Sequence, residues 1–133
     1  VHGREEPDVA GAIRELSGGG AHVSLDALGS RETCANSILC LRKQGRHVQV
    51  GLLVAEDRQT PLPMPQVIAR ELTIIGSHGM PAHDYPEMLQ MIQSGKLAPQ
   101  QLISRTISLA EAPRALQEMG AFIVPGVTVI DRF

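Results

Sequence analysis

Three short apolar segments that each end in glycine decide the fold: HVSLDALG at residues 22–29, HVQVG at 47–51 and LTIIGSHG at 72–79. Apolar and β-branched residues in such runs are typical of buried strands. In parallel α/β sheets, ligands bind beyond the carboxyl ends of the strands. A glycine at that position lets a ligand approach the backbone closely. The segments therefore predict a parallel sheet that forms one wall of a ligand-binding crevice.

Helix and strand signals alternate around these segments. The predicted elements are a helix at 8–16, a strand at 22–27, a helix that follows the N-cap Ser30 and ends at Gly45, a strand at 46–53, a helical turn at 66–70 and a strand at 72–77. On the second helix, Cys34, Ile38 and Leu41 mark the apolar face, and Arg42 and Lys43 occupy the last turn.

The C-terminal part continues the pattern with two more helices and two short strands. Asp84 and Glu87 have the spacing of a capping box that opens a helix to residue 94, and Ser108 and Glu111 have it before a helix that stops at Gly120. Strands are predicted at 102–108 and 126–130. This order of elements predicts an α/β protein whose parallel strands are covered on both faces.

Composition excludes several function classes. The chain has 133 residues, 43% of them hydrophobic and 20% charged, with a net charge of −2 and only 2% aromatic residues. The absence of a basic block argues against nucleic acid and anionic membranes as partners. No apolar run reaches the ~18 residues of a membrane span. Two cysteines are too few for a disulfide framework, which favours a reducing cytoplasm.

The usual catalytic and binding motifs do not match this chain. The triplet Gly18–Gly20 precedes a strand, and Val23 stands where G-x-G-x-x-G needs its last glycine, so a turn is the favoured interpretation. No histidine or cysteine pair has chelating spacing. Cys34 and Cys40 are predicted to be buried, inert thiols. The residues alone therefore indicate half of a ligand crevice and no catalytic group.

Two polar residues near strand ends keep alternative interpretations. Asp26 lies near the end of a buried strand, where it needs a partner. It either caps backbone amides of the next loop or faces a cofactor cleft. His78 lies in a Gly-Ser-His-Gly turn after the third strand, where it lines a ligand site or has only a structural or solvated role. The other histidines favour structural or solvated roles.

Several segments in their order resemble the zinc-dependent alcohol dehydrogenases of the medium-chain dehydrogenase/reductase superfamily. They are DALGS at 26–30, LRKQGR at 41–46, VGL at 50–52, ELTIIGS at 71–77, SGKL at 94–97, LISR at 102–105, ISLAEA at 107–112 and GVTVI at 126–130. Each segment alone is weakly specific, but together they cover nearly the whole chain.

The resemblance implies the second half of a Rossmann-type parallel sheet with flanking helices at 1–95, and a C-terminal segment at 96–133 that returns to a GroES-like catalytic domain. The parent protein would transfer hydride between an alcohol or polyol and NAD or NADP, with zinc. The glycine fingerprint and all zinc ligands would lie upstream, so no catalytic or metal residue is assigned here. We expect a fragment, a processed chain or a trimmed chain that is inactive by itself.

The resemblance also implies eight cofactor-binding residues. The residues that would line the adenosine and ribose side are Ala27, Leu28 and Ser30. Those whose backbone would face the nicotinamide carboxamide are Val50, Ser77 and Gly79, with Gly51 and Leu52 beside them. The implied partners are an alcohol or carbonyl substrate and a second copy of the chain.

A second copy would pair along the edge strand Leu72–Gly76, and along His22–Ala27 if that strand is left uncovered.

Three alternative interpretations of the function stay open. The chain could be a stand-alone α/β binding or oligomerisation module without catalysis, or part of a zinc-free relative of the quinone-reductase type. A flavodoxin-like domain is the third, although such a domain is expected to carry its own phosphate loop.

Overall fold

A computed structural model describes residues 3, 5–121 and 125–133. The chain divides into two compact units, Val1–Gly79 and Met80–Phe133. The elements of the first unit are α1 (Val9–Leu16), β1 (Ala21–Asp26), α2 (Arg31–Leu39), β2 (Leu41–Gln49), α3 (Met64–Ala69) and β3 (Thr73–Gly76). Its strands form one parallel sheet in the order β1-β2-β3. The predicted parallel α/β fold is confirmed.

Local capping explains where the first two helices begin. The Asp8 carboxylate accepts from the Gly11 N–H at 2.9 Å and caps α1. α1 ends at Leu16, Ser17 is its C-cap, and Gly18 follows with a φ of 64°. The Ser30 hydroxyl accepts from the Thr33 N–H at 3.1 Å, and the Thr33 hydroxyl accepts from the Ser30 N–H at 3.3 Å. This reciprocal pair is a capping box that starts α2.

The second predicted helix boundary, at Gly45, is wrong, because α2 ends at Leu39. The Arg70 guanidinium donates to the carbonyl of Leu39 at 2.8 Å and to that of Leu41 at 3.1 Å. A cation that binds the last carbonyls stabilises the end of a helix at that position. Leu41 consequently opens β2, where it pairs with Ala21. The predicted start of this strand at Arg46 is too late, and Arg42 and Lys43 belong to β2.

The core of the first unit lies where α2 packs on β1 and β2. Its fully buried apolar side chains include Cys34 and Ile38 of α2 and Leu41 of β2. The prediction that both faces of the strands are covered is wrong. Strand side chains alternate between the two faces, so Val23 and Leu25 point away from α2 and are 52% and 64% exposed.

The second unit contains α4 (Tyr85–Gln93), β4 (Ile103–Ser108), α5 (Ala112–Glu118) and β5 (Val127–Arg132), and its two strands pair in parallel. The capping box predicted at Asp84 is wrong, because its side chain makes no cap hydrogen bond and lies 3.1 Å from His83 Nε2. At Ser108, the N–H and the hydroxyl both donate to the Glu111 carboxylate, at 2.8 and 2.7 Å. A functional domain boundary at residue 95 stays a prediction.

Among the described helices, none combines the length and the apolar character that a crossing of the bilayer demands.

Candidate cofactor-binding site

The carboxyl ends of the three parallel strands lie side by side. Asp26 pairs with Gln49, and Gln49 pairs with Gly76, so the loops that follow β1, β2 and β3 share one edge of the sheet. These loops carry all the residues predicted to bind a cofactor, namely Ala27, Leu28, Ser30, Val50, Gly51, Leu52, Ser77 and Gly79. The role of these residues stays a prediction, but the fold places them along a single edge.

The buried side chain of Asp26 binds the loop after β1 and the side chain of Gln49 at this edge. It is 3% exposed, and its Oδ1 accepts from the N–H of Leu28 at 3.0 Å, the N–H of Gly29 at 3.1 Å and the hydroxyl of Thr33 at 3.0 Å. Its Oδ2 accepts from Gln49 Nε2 at 2.7 Å. The interpretation that Asp26 caps the amides of the following loop is confirmed. Both carboxylate oxygens are used inside the protein.

The pKa of Asp26 reflects the balance between burial and hydrogen bonding. Burial alone would raise it, because a charged carboxylate loses solvation. The hydrogen bonds from Gln49, Gly29, Thr33 and Leu28 outweigh this penalty and lower the pKa below the ordinary value of 3.8. Asp26 is therefore an anion at neutral pH, and it holds the loop through charge-assisted hydrogen bonds.

The loops after β1 and β2 touch backbone to backbone. The Asp26 carbonyl accepts from the N–H of Val50 at 2.9 Å and of Gly51 at 2.8 Å. A Cβ on Gly51 would overlap the nitrogen of Gly29, and a Cβ on Gly29 would overlap the carbonyl oxygen of Leu52. Gly29 also has a φ of 82°, which favours glycine. Both glycines are therefore needed where the two loops meet.

The surface that these loops present is apolar. Leu28, Val50 and Leu52 are 62%, 40% and 61% exposed. The Ser30 hydroxyl is engaged at the start of α2, where it lies 2.9 Å from the Thr33 hydroxyl as well as accepting from the Thr33 N–H. The exposed residues of this edge form an apolar wall around Leu28, Val50 and Leu52. The buried, hydrogen-bonded carboxylate of Asp26 supports the wall from inside the protein.

Part of the backbone along this wall is already hydrogen-bonded. The N–H of Val50 donates to the Asp26 carbonyl, and the N–H of Ser77 donates to the Gln49 carbonyl at 2.9 Å. Within the described residues, no backbone hydrogen bond reaches the carbonyls of Val50 and Ser77 or the N–H of Gly79. These two carbonyl acceptors and this one N–H donor therefore have no backbone partner among the described residues, and they lie just beyond the ends of β2 and β3.

Sequence reasoning missed two supporting residues, His47 and Gln49. His47 is 1% exposed, and its Nε2 lies 3.1 Å from Gln49 Oε1. Gln49 Nε2 donates to Asp26 and, at 2.8 Å, to the carbonyl of Gly51. The signal was present as two polar residues at i and i+2 in the segment HVQV, because such residues share one face of the sheet.

A family model described as zinc-binding dehydrogenase matches residues 1–94. The chain belongs to this family. The resemblance found in the sequence is thereby confirmed, together with the Rossmann-type interpretation of the parallel sheet, since solved alcohol dehydrogenases share the fold.

Individual relatives share the same region. The chain is 27% identical over 113 residues to D-arabitol-phosphate dehydrogenase of Enterococcus avium, covering 84% of this chain and 32% of that protein. It is 30% identical over 104 residues to D-xylulose reductase A of Aspergillus niger, covering 78% and 28%. A crystal structure of an NAD-dependent alcohol dehydrogenase superposes with a TM-score of 0.80 at 26% identity, covering 95% and 36%. The chain thus spans about a third of the length of these relatives.

The family name implies zinc, and the side chains described here do not fit a zinc site. Within residues 3, 5–121 and 125–133, no group of three or more His, Cys, Asp or Glu residues could hold a metal ion. Cys34 and Cys40 are buried as expected, and burial raises the pKa of both thiols. His78 lies on an exposed loop at the wall, and its two interpretations stay open.

Proposed function

We propose that this chain supplies the nicotinamide-facing wall of the cofactor site in an NAD- or NADP-dependent alcohol or polyol dehydrogenase. The observation that carries the proposal is the shared edge at the carboxyl ends of β1, β2 and β3, where glycines bring two loops into contact. Cofactors of parallel α/β sheets bind at such edges. The names of the relatives, two of which act on polyols or their ketoses, support the substrate class.

The hydrogen-bonding groups along the wall complement a carboxamide. A carboxamide has two N–H donors and one carbonyl acceptor. The carbonyls of Val50 and Ser77 would accept the two N–H groups, and the N–H of Gly79 would donate to the carboxamide oxygen. Val50 and Leu52 would pack against the ring. The bound cofactor supplies hydride chemistry, and this wall would fix which face of the ring reacts.

Nicotinamide mononucleotide tests this assignment on the 15N-labelled chain. The N–H resonances of residues 50–52 and 77–79 should move on titration, whereas ADP-ribose should move those of 27–30. The matched control is nicotinic acid mononucleotide, whose carboxylate has no N–H donor and would face two carbonyl oxygens. It should bind about 30-fold more weakly, because two hydrogen bonds are lost and each is worth about 1 kcal/mol. Equal affinity of the two mononucleotides, or shifts elsewhere, would refute the proposal.

We propose that the chain by itself binds the nicotinamide cofactor but does not catalyse hydride transfer. None of its residues is assigned a catalytic role, and its wall orients a ring without activating a substrate. Incubation with NADH and a panel of aldehydes and ketones, or with NAD⁺ and a panel of alcohols, should give no change in absorbance of the reduced nicotinamide. Measurable turnover would contradict this part of the proposal and place catalytic groups inside the chain.

We also propose that a second copy pairs along β3. β3 is one edge of the described sheet, and its Ile74 and Ile75 are 37% and 38% exposed. The N–H of Ser77 points to β2, so by the alternation of a parallel ladder the N–H of Ile74 points outward. Ile74→Pro should therefore reduce a dimer to monomers in sedimentation experiments. Ile68→Lys, on exposed α3, is the control that should leave the dimer intact. A monomeric unmodified chain would contradict the pairing.

A further inference from the structure

A line of polar side chains runs beneath the wall, in the region where β2 lies under α2. It begins at Ser37 of α2, whose hydroxyl lies 3.0 Å from His47 Nδ1. It continues from His47 Nε2 to Gln49 Oε1 at 3.1 Å. It ends where Gln49 Nε2 meets Asp26 Oδ2 and the Gly51 carbonyl, at 2.7 and 2.8 Å. Among the described residues, no buried side-chain nitrogen or oxygen lacks a hydrogen-bond partner.

The direction of every hydrogen bond in this line follows by elimination. The Asp26 carboxylate and the Gly51 carbonyl can only accept, so the Gln49 amide nitrogen must face them. Gln49 Oε1 then faces His47, and His47 Nε2 must carry the proton. In a neutral imidazole, Nδ1 is then an acceptor.

The donor to His47 Nδ1 is Ser37. The Ser24 hydroxyl lies farther from Nδ1, at 3.4 Å, and donates instead to the Ser37 carbonyl at 2.6 Å. The Ser37 hydroxyl at 3.0 Å therefore supplies the hydrogen. A single arrangement of protons satisfies the whole line from α2 to the wall.

We infer that His47 is a positioning residue for the cofactor wall, acting as the Nε2–H tautomer through Gln49 on the carbonyl of Gly51. This inference rests on the proposed function, because Gly51 lies between Val50 and Leu52 of that wall. Without the His47 donor, Gln49 Oε1 loses its hydrogen-bond partner, and the Gln49 side chain is held only through its amide nitrogen, by Asp26 and Gly51. The hydrogen bond from Gln49 to the Gly51 carbonyl is then held less firmly, and the wall is less well ordered at residues 50–52.

Two substitutions of His47 test the roles of its two imidazole nitrogens separately. In His47→Gln the amide nitrogen reaches the position of Nε2 and still donates to Gln49. In His47→Asn the amide reaches only the position of Nδ1, and Gln49 loses its donor. We expect His47→Gln to bind nicotinamide mononucleotide within about twofold of the unmodified chain. His47→Asn should bind about fivefold more weakly, as expected for one hydrogen bond.

Ser37→Ala is the control for a merely structural role. It removes the donor to Nδ1 but leaves the Nε2–H directed at Gln49. It should lower the urea midpoint without changing the affinity for the mononucleotide. Equal affinities of His47→Gln and His47→Asn, or an affinity loss in Ser37→Ala as large as in His47→Asn, would overturn the inference.

A cofactor-free measurement separates this inference from the proposed function. Long-range 1H–15N spectra of the unmodified chain report which imidazole nitrogen is protonated. They should show that the proton of His47 is on Nε2 and not on Nδ1. A proton on Nδ1 overturns the inference even if the variants fail to fold. A confirmed tautomer, with Gly51 and Leu52 amides displaced more in His47→Asn than in His47→Gln, sustains the positioning role even if no mononucleotide binds.

Discussion

Gly29 and Gly51 lie against each other, backbone to backbone, at the point where the loops after β1 and β2 meet. A Cβ on Gly51 would overlap the Gly29 nitrogen and lie 2.6 Å from the Leu28 carbonyl carbon. The atoms in the way belong to backbone, which cannot move aside as a flexible side chain can. The apposition therefore links the two loops that form the proposed nicotinamide wall.

Gly51→Ala should destabilise the first unit. Overpacking of this kind costs about 1–3 kcal/mol, and the added methyl group meets backbone on the opposite loop. The measurement is the free energy of unfolding in urea, followed by circular dichroism. Gly76→Ala is the matched control, because its added Cβ would meet nothing within 4 Å and Gly76 does not need a positive φ. A Gly51→Ala chain as stable as the Gly76→Ala chain would contradict the close contact.

Asp26 should make stability depend on pH in acid. Its folded-state pKa is below the ordinary value of 3.8 expected when unfolded, so the unfolded state binds more protons in this range. The stabilisation is complete above about 3.8 and is lost as the pH falls through the folded-state pKa. Asp26→Asn should cost about 2 kcal/mol at pH 7, as expected for charge-assisted hydrogen bonds.

The comparison of the two chains isolates Asp26 from other acidic groups. The difference in free energy of unfolding between the unmodified chain and Asp26→Asn should shrink in urea titrations as the pH falls below 3.8. Glu111 and Glu118, whose pKa values are also lowered, contribute equally to both chains and cancel. A difference that stays constant into strong acid would show that the Asp26 carboxylate does not hold the loop.

Arg70, although about thirty residues away in the sequence, should stabilise the C-terminal end of α2. Arg70→Met removes two guanidinium hydrogen bonds, to the carbonyls of Leu39 and Leu41, and should cost about 1–2 kcal/mol. Arg70→Lys keeps the charge, but its ammonium does not reproduce the position of Nη1, which makes both hydrogen bonds, so an intermediate loss is expected. Arg58→Met, at an exposed position, is the control. Equal urea midpoints for Arg70→Met and Arg58→Met would remove Arg70 from this role.

Features determined by neighbours in sequence could be predicted. The hydroxyl of Ser30 and the carboxylate of Glu111 act within three residues of their partners, and Asp26 binds amides two and three residues ahead. The parallel order of the strands follows from the long crossover segments that connect them, since these are well beyond the length of a hairpin turn. Such contacts leave a pattern that can be recognised from one sequence.

Features that depend on distant residues could not be predicted. The end of α2 is stabilised by Arg70, which follows the helix by about thirty residues, and the glycine at 45 is not where the helix ends. The line from Ser37 to Gly51 requires the register between α2 and β2. The exposed positions of Val23 and Leu25 depend on which elements cover each face of the sheet. Strand composition alone does not contain that information.

Cys34 and Cys40 should resist alkylation while the chain is folded. They are 2% and 3% exposed, and burial raises the pKa of each, with the Asp26 charge adding to the rise at Cys34. The thiolate is the nucleophile, so iodoacetamide at pH 7 should react on the order of 100-fold more slowly with the folded chain than with the urea-unfolded chain. Ser94→Cys introduces an exposed thiol as the control and should react at the unfolded rate. Peptide mass mapping assigns each site. Labelling of Cys34 or Cys40 as fast as the introduced thiol would show that α2 does not cover the sheet as the structure has it.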